Sequence, residues 1–206
     1  MKKRPILILI LILSVRSIIA QTTNNVEFGL KIGANYTVPK MVDLKSMEFN
    51  NQLGLDLGLF SDFMFNNRIG LKLELLYTSQ NINMESYGFN DGNGGRTETA
   101  ELNQEVKDEY LTLPILFKLK LINRLDFSLG PQLGLLISNN ERFLVNDGII
   151  FFQNEQLDHF SISGDLDLSF HATDRLNLSI RYFLGLNKVN SLRNNGLQFH
   201  LGYAIL

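Results

Sequence analysis

The sequence predicts an all-β protein, an eight-stranded antiparallel transmembrane up-and-down β-barrel preceded by a signal peptide. Three observations favour this fold. Apolar and polar residues alternate with a period of two in eight separate segments. Tight turns and long polar loops alternate between those segments. The polar phase of the segments is rich in glycine and in charges of both signs.

The first 20 residues have the organisation of a secretory signal peptide. Residues 2–4 form a positive n-region, residues 6–13 are an unbroken apolar run, and Ala20 is a small residue at a plausible cleavage point. The apolar run is well short of the roughly 20 residues that a spanning helix needs. We predict a signal peptide over residues 1–20 and one barrel domain over residues 21–206. An uncleaved N-terminal anchor is the alternative.

Composition narrows the function classes. The chain has no cysteine, which excludes a lipid-anchored cysteine, disulfides and thiolate metal sites. Its net charge is −2 and no stretch is strongly basic, so we predict no nucleic-acid partner. After the signal peptide, no apolar run is long enough for a membrane helix. That profile also fits a transmembrane β-barrel, because each of its strands gives only a weak hydropathy signal.

The eight alternating segments follow one another along the mature chain. The first four are VEFGLKIGANYT from Val26, LGLDLGLFSDF from Leu53, RIGLKLELLYTSQ from Arg68 and YLTLPILFKLK from Tyr110. The last four are LDFSLGPQLGLLIS from Leu125, DLDLSFH from Asp165, LNLSIRYFLGL from Leu176 and GLQFHLGYAIL from Gly196. None shows a sustained period near 3.6 residues, so we expect little helix.

The connections differ in length in a regular way. Tight turns rich in Asn or Asp occupy residues 65–68 (FNNR), 122–124 (INR) and 172–175 (ATDR). Long polar loops are predicted over residues 37–52, 80–108, 139–159 and 187–195. Short turns at one end and long loops at the other are typical of an outer-membrane barrel, whose turns face the periplasm.

One stretch leaves the strand count open. Residues 141–153 (ERFLVNDGIIFFQ) resemble a small hairpin around residues 146–148. Its arms are about six residues long, shorter than the 9–11 that a tilted spanning strand needs. We interpret it as an extracellular extension of the fifth and sixth strands. A ten-stranded barrel is the alternative.

The polar phase indicates which face meets lipid. It contains seven acids and seven bases: Glu27, Asp56, Asp62, Glu74, Asp126, Asp165 and Asp167, with Lys31, Arg68, Lys72, Lys118, Lys120, Arg175 and Arg181. It also contains Gly29, Gly33, Gly54, Gly58, Gly70, Gly130, Gly134, Gly185 and Gly202. Glycine weakens a solvent-facing strand but makes room for charged side chains inside a narrow barrel. We predict apolar residues outside and paired charges inside. A soluble β-sandwich or lipocalin-like carrier is the alternative.

Aromatic residues support this orientation. Tyrosines occur near strand ends in the apolar phase, as in an aromatic girdle: Tyr36, Tyr77, Tyr182 and Tyr203. The closing LGYAIL places Tyr203 and Ile205 in the outward phase, as in the last strand of outer-membrane barrels, although Leu206 replaces the usual terminal Phe.

Several short motifs resemble the PorT-like family of outer-membrane β-barrels, which is typical of Bacteroidetes-type bacteria. They are KIGANYT, EYLTLPILFKLKL, GPQLGLLIS and RYFLGLNKV, and the family's aromatic-Leu-x-[Ile/Leu]-Pro pattern falls on residues 110–114. The resemblance implies a membrane barrel without catalytic residues. It also implies kinship with a protein of the type IX secretion and gliding apparatus. Because Pro114 lacks a backbone donor, we predict that it interrupts the strand ladder at a bulge.

Histidines are the first candidates for chemistry. His171 and His200 both fall in the inward phase, where a metal site or an acid–base pair with Asp165 or Asp167 is conceivable. We favour the interpretation that both imidazoles belong to hydrogen-bond networks of the interior.

The loops offer two weaker candidates. Residues 90–95 (NDGNGG) suggest a calcium loop, but the ligand spacing and the closing glutamate of an EF-hand are missing. His159 and Asp158 sit at a loop end, where some outer-membrane enzymes place their active sites, but two residues do not make one. We predict no catalytic, cofactor-binding or metal-binding residue, and no cofactor.

The sequence thus predicts a small integral barrel of the outer membrane with a structural, adhesive or accessory role, a plugged polar lumen and long extracellular loops. The expected partners are outer-membrane lipid and, through the loops, cell-envelope or secretion-machinery proteins. An accessory component of a type IX secretion or gliding apparatus and a soluble periplasmic lipocalin-like binder are the alternatives.

Overall fold

This computed structural model describes residues 26–41, 48–87, 101–145, 148–152, 159–189 and 192–205. Nine strands lie within these ranges: β1 (Val26–Met41), β2 (Glu48–Met64), β3 (Ile69–Tyr87), β4 (Glu101–Ile122), β5 (Leu125–Val145), β6 (Gly148–Phe152), β7 (Phe160–His171), β8 (Leu176–Gly185) and β9 (Leu192–Ala204). No helix within the described part of the chain is long and apolar enough to cross a membrane. The predicted signal peptide and residues 90–95 lie outside the described ranges.

Eight of the strands close into a ring. Each pairs antiparallel with its neighbours in the order β1-β2-β3-β4-β5-β7-β8-β9, and β9 pairs back onto β1. The prediction of an eight-stranded antiparallel barrel is confirmed. Within the described residues, β6 pairs only with residues 141–145 of β5, so it extends the wall and is not a member of the ring. The ten-stranded alternative is therefore wrong.

The apolar face of the barrel lies outside. In β8, Leu178 and Ile180 are 47% and 40% exposed, whereas Ser179 and Arg181 between them are 6% and 0% exposed. The other strands of the ring repeat this pattern, with exposed Leu, Ile, Phe and Tyr alternating with buried polar residues. A lipocalin-like carrier or a soluble sandwich would bury its apolar face instead. That alternative is wrong.

The turns form where they were predicted, at residues 65–68, 123–124 and 172–175. The Asn66 side-chain oxygen accepts hydrogen bonds from the amides of Arg68 (2.8 Å) and Ile69 (2.9 Å). The Thr173 hydroxyl accepts one from the amide of Leu176 at 3.0 Å. Short polar side chains therefore satisfy backbone donors in the turns at residues 65–68 and 172–175, which is why these residue types suit turns.

The strands run further into the predicted loops than the sequence indicated. β3 and β4 remain paired as far as Tyr87 and Glu101, and β5 continues to Val145. Beyond the bilayer the outward side chains meet water and are polar, as Lys107 and Glu109 are, so the apolar-outward alternation that marks a strand is lost there although backbone pairing continues. One side of the wall therefore extends as a five-stranded projecting sheet, formed by residues 48–52, 81–87, 101–109, 138–145 and 148–152.

Pro114 interrupts the β3–β4 ladder as predicted, because neither it nor Leu113 has a partner among the described residues of β3, but the predicted bulge is wrong. The β3–β4 register is the same before and after this residue, from Leu76↔Thr112 to Leu73↔Ile115. Proline removes one donor without adding a residue to the strand, so the register has no reason to shift. The register shifts of β4 against β5 lie elsewhere, at Glu109/Tyr110 and Lys120/Ile122.

Candidate functional site

The middle of the lumen is crossed by an ion pair. Arg181 on β8 donates through Nη2 to Glu74 Oε1 on β3 at 2.8 Å, and both side chains are fully buried. β3 and β8 are four strands apart in either direction around the ring, so this bond spans the barrel's diameter. The same guanidinium contacts Asp167 Oδ2 on β7 at 3.1 Å.

Two lysines complete this group of charges. Lys31 on β1 pairs with Glu74, and Lys72 on β3 lies 3.4 Å from Asp167 and 3.0 Å from the Ser169 hydroxyl. We call the set of Lys31, Lys72, Glu74, Asp167 and Arg181 the central cluster. Three cations thus share two carboxylates and link four strands, which offsets the cost of removing each charge from water.

The turn end of the lumen is wider. Lys118 contacts Asp62 at 2.6 Å and Asp126 at 2.7 Å, and His171 Nε2 lies 2.6 Å from Asp126 Oδ2. Lys118, Asp126 and His171 line a cavity of about 390 Å³, the turn-end cavity, which Lys120 also lines.

The loop end of the lumen is closed by polar and apolar side chains together. His200 Nε2 lies 3.1 Å from Asp56 Oδ2, and Asn35 donates to the other oxygen at 3.0 Å. A Cβ on Gly33 would overlap the His200 ring, so glycine is required at this position. Apolar side chains that the alternation did not predict also fill the lumen: Phe60, Leu76, Tyr110, Leu116, Phe183 and Val189. Among the described residues, a cavity of about 30 Å³ lies at this end.

This inside-out barrel matches a known family. The model for the "Outer membrane protein beta-barrel domain" matches residues 19–191, which is most of the chain. The chain belongs to this family. It is a small β-barrel of the outer membrane.

Solved structures of bacterial outer-membrane proteins are similar to this chain. Ail of Yersinia pestis, crystallised with the heparin analogue sucrose octasulfate, gives a TM-score of 0.51 at 14% identity over 88% of this chain and 99% of that chain. Neisserial surface protein A gives 0.46 at 13% identity, over 85% and 96%. OprG of Pseudomonas aeruginosa gives 0.40 at 12% identity, over 87% and 94%. No curated protein sequence matches the chain.

The histidines of the outer-membrane barrel have other partners than the sequence suggested. His171 contacts Asp126 and His200 contacts Asp56, so a pairing of either with Asp165 or Asp167 is wrong. The interpretation that both imidazoles join interior hydrogen bonds is confirmed. Among the described residues, no three His, Asp or Glu side chains are grouped so as to hold a metal ion. His159 is exposed, and residue 158 lies outside the described ranges.

The predicted balance of charge inside the barrel is wrong in detail. Of the fourteen charged residues assigned to the interior, Arg68 and Arg175 are exposed in the turns, and Glu27 and Lys120 are half-buried. Six acids and four bases remain buried. Arg68 and Arg175 are in register with the inward-facing residues of β3 and β8. Each lies before the first paired residue of its strand, where side chains reach water. Neutral donors offset the excess of carboxylates; Ser163, for example, donates to Asp165 at 2.9 Å.

One buried acid was not predicted. Asp108 lies beyond the outward apolar band, which ends at Leu111 on β4 and Ile137 on β5. Its carboxylate accepts from Asn139 Nδ2 at 2.7 Å and from the Tyr110 hydroxyl at 3.4 Å. Burial raises the pKa of the Asp108 carboxyl above its ordinary value. The alternation of β4 is the signal that would have placed Asp108 in the lumen, because Asp108, Tyr110 and the inward-facing Thr112 follow one another at intervals of two residues.

Proposed function

We propose that this protein is a closed, non-conducting barrel that acts through contacts at its extracellular end, in a structural, adhesive or accessory role and without catalysis. The observation that carries the proposal is the Arg181–Glu74 pair across the diameter of the lumen. A barrel obstructed at its centre has its accessible surface at its two ends. Short turns of such barrels face the periplasm, so the projecting sheet faces outwards.

The filling of the lumen supports the absence of a pore. Eight strands enclose an interior that side chains just fill. An ion in transit would have to displace the buried central cluster, and breaking one buried pair costs roughly 3–5 kcal/mol. At the loop end, the cavity lined by Tyr110 and Phe183 has room for about one or two water molecules.

Conductance of the purified protein in planar bilayers tests the closed lumen. We expect the wild type to insert without stable single-channel steps. The double variant Glu74→Ala/Arg181→Ala removes the ion pair from the centre of the lumen. It is the matched variant in which leakage of ions is measured. Stable, large steps from the wild type would contradict the proposal.

The projecting sheet supports the contact role. In this sheet, strands β2 to β6 extend beyond the apolar band, whereas β7 and β8 end close to the band. Lys107 and Glu109 form a solvent-accessible pair at 2.8 Å on its β4 strand. A broad, mostly polar sheet held on a rigid barrel is suited to binding another envelope or surface molecule.

Shortening the projecting sheet tests this role. Gln80 and Asp108 are cross-strand partners, so an Asn-Gly turn that replaces residues 81–107 joins β3 to β4 in register. We expect the variant to keep heat-modifiable gel migration, which reports a folded barrel. It should lose the protein adducts formed on intact cells by a membrane-impermeant crosslinker. Identical adducts from the variant and the wild type would refute the contact role.

The PorT-like motifs favour a second candidate, an accessory subunit of a type IX secretion or gliding apparatus. The pattern at residues 110–114 supports it. Deletion of the gene followed by an assay of surface-protein export tests it. On this hypothesis we expect the deletion to reduce export. Unaltered export would contradict it, and the motifs would then indicate family relationship alone.

A further inference from the structure

Three turns end in arginine at equivalent positions. Arg68, Arg124 and Arg175 directly precede β3, β5 and β8, which are every second strand around the ring. The carbonyl of each accepts a backbone hydrogen bond from the next strand, at 2.8 Å from Lys120 to Arg68, 2.8 Å from His171 to Arg124 and 2.7 Å from Ala204 to Arg175. The fold thus repeats one arginine position three times along the turn-side edge.

These arginines are free to bind. All three are exposed, and no described residue forms an ion pair or hydrogen bond with their guanidinium groups. The ammonium of Lys120, beside Arg68, has no such partner within the described ranges either. We call Arg68, Lys120, Arg124 and Arg175 the basic rim. The unpaired carboxylates nearby are those of Glu27 and Asp174, so cations outnumber them by four to two.

The basic rim borders the apolar outer face. Phe65 and Ile122 are 64% and 65% exposed and belong to the same turns as Arg68 and Arg124. Exposed apolar side chains next to exposed arginines mark the level where acyl chains give way to headgroups. An arginine at this level can keep its stem in the apolar layer and bind a phosphate through two parallel hydrogen bonds.

We propose that the basic rim binds the phosphate groups of anionic phospholipids in the leaflet on the turn side. The turn-end cavity behind the rim is also lined by Glu27, Asp126 and Asp174. An anion that entered the cavity would meet these carboxylates. The binding position is therefore the outer edge of the rim, where lipid headgroups lie. This inference depends on the membrane location of the barrel and not on whether its lumen conducts.

Site-specific lipid quenching tests the proposal, because the chain has no tryptophan. Phe65→Trp places a reporter beside Arg68, and Leu53→Trp places a reference at the loop end of the outer face. Each protein is reconstituted with phosphatidylcholine and with brominated phosphatidylglycerol or brominated phosphatidylcholine. We expect the association ratio of phosphatidylglycerol to phosphatidylcholine to be about fivefold at residue 65, which corresponds to roughly 1 kcal/mol. At residue 53 we expect a ratio near unity.

Variants of the rim locate the effect. R68Q/R124Q/R175Q should lower the ratio at residue 65 to the value at residue 53, whereas R68K/R124K/R175K should retain part of the preference. The matched control K107Q/K188Q/R193Q removes the same charge from exposed loop-end positions and should leave the ratio unchanged. Heat-modifiable migration verifies that each variant folds. An unchanged ratio in the glutamine variant, or an equal fall in the control, would overturn the proposal.

A competition arm separates lipid from free phosphate. Inorganic phosphate and sodium chloride are compared at equal ionic strength on the Phe65→Trp protein. We expect both to weaken the preference equally, through screening alone. Release of the preference by phosphate at concentrations where chloride has no effect would identify a free anion as the ligand and overturn the lipid assignment.

Discussion

Arg181 shows how single residues hold this barrel closed. Its guanidinium is fully buried between Glu74 on β3, across the lumen, and Asp167, its cross-strand partner on the neighbouring β7. Alternation along β8 predicted that the side chain faces inward. It could not predict Glu74 as the partner across the lumen, because that contact depends on strand tilt and on the relative height of residues on opposite walls.

Removal of this arginine should be costly. Arg181→Leu leaves Glu74 with Lys31 alone and Asp167 with Lys72 alone, and we expect a loss of roughly 3–5 kcal/mol in the free energy of unfolding. Urea titration of the protein in lipid vesicles measures the loss. Arg175→Leu, at an exposed turn position, should change stability by less than about 0.5 kcal/mol. Equal losses in the two variants would show that the central cluster does not stabilise the fold.

The pair itself is accessible by a double-mutant cycle. Once Arg181 is replaced, the Glu74 carboxylate is poorly compensated, so adding Glu74→Gln should recover part of the loss. We expect a coupling energy on the order of 1–3 kcal/mol between the two sites. Strict additivity of the two substitutions would indicate that they do not interact.

Asp108 should make stability depend on pH. Its pKa is raised mainly by burial, so the folded state favours the protonated acid. Below the pKa that Asp108 has in the unfolded protein, burying this carboxyl carries no cost of ionisation. The cost to the free energy of unfolding grows as the pH rises from there through the higher pKa of the folded protein. Asp108→Asn keeps the acceptor for Asn139 and should stabilise the protein at pH 7.5, with the difference vanishing near pH 3. A constant difference across this range would contradict the ionisation argument.

At the scale of elements, the sequence predicted the parts of strands that cross the bilayer and missed the parts beyond it. β8 was predicted to within a residue, since lipid on one side and lumen on the other impose strict alternation. The end of β3 was placed several residues too early. Beyond Gln80 the outward face of β3 leaves the apolar band, while Ile82 stays buried on the inward side, so the apolar-outward alternation no longer distinguishes this part of the strand from a loop.

Hydrogen exchange tests the projecting sheet. Ile82 and Val106 are cross-strand partners in it, and both are buried. Their segments should be protected from exchange for minutes or longer, as paired strands are. The amides of Asn67 and Asp174 in the turns are the unprotected reference. Exchange of residues 81–85 and 103–107 as fast as that reference would show that the strands end where the alternation ends.

At the scale of the whole molecule, orientation and strand number followed from the polar phase and the loop lengths. The composition of the lumen did not, because it includes Phe60, Leu76 and Leu116 as well as charges. These apolar side chains occupy inward positions that alternation marks as polar. They fill space between the ion pairs, so the centre of the barrel is packed like a protein core as well as electrostatically paired.

The arrangement with the apolar face towards lipid and the central cluster inside is the claim on which the account depends. Nitroxide side chains at Leu178→Cys and Ile180→Cys in the reconstituted protein, with Thr173→Cys in a turn as the aqueous reference, test it most directly. The account predicts that labels at residues 178 and 180 collide often with oxygen and rarely with a water-soluble nickel chelate, the reverse of the label at residue 173. Frequent collision with the nickel chelate at residues 178 and 180, or shielding of both from oxygen, would contradict it.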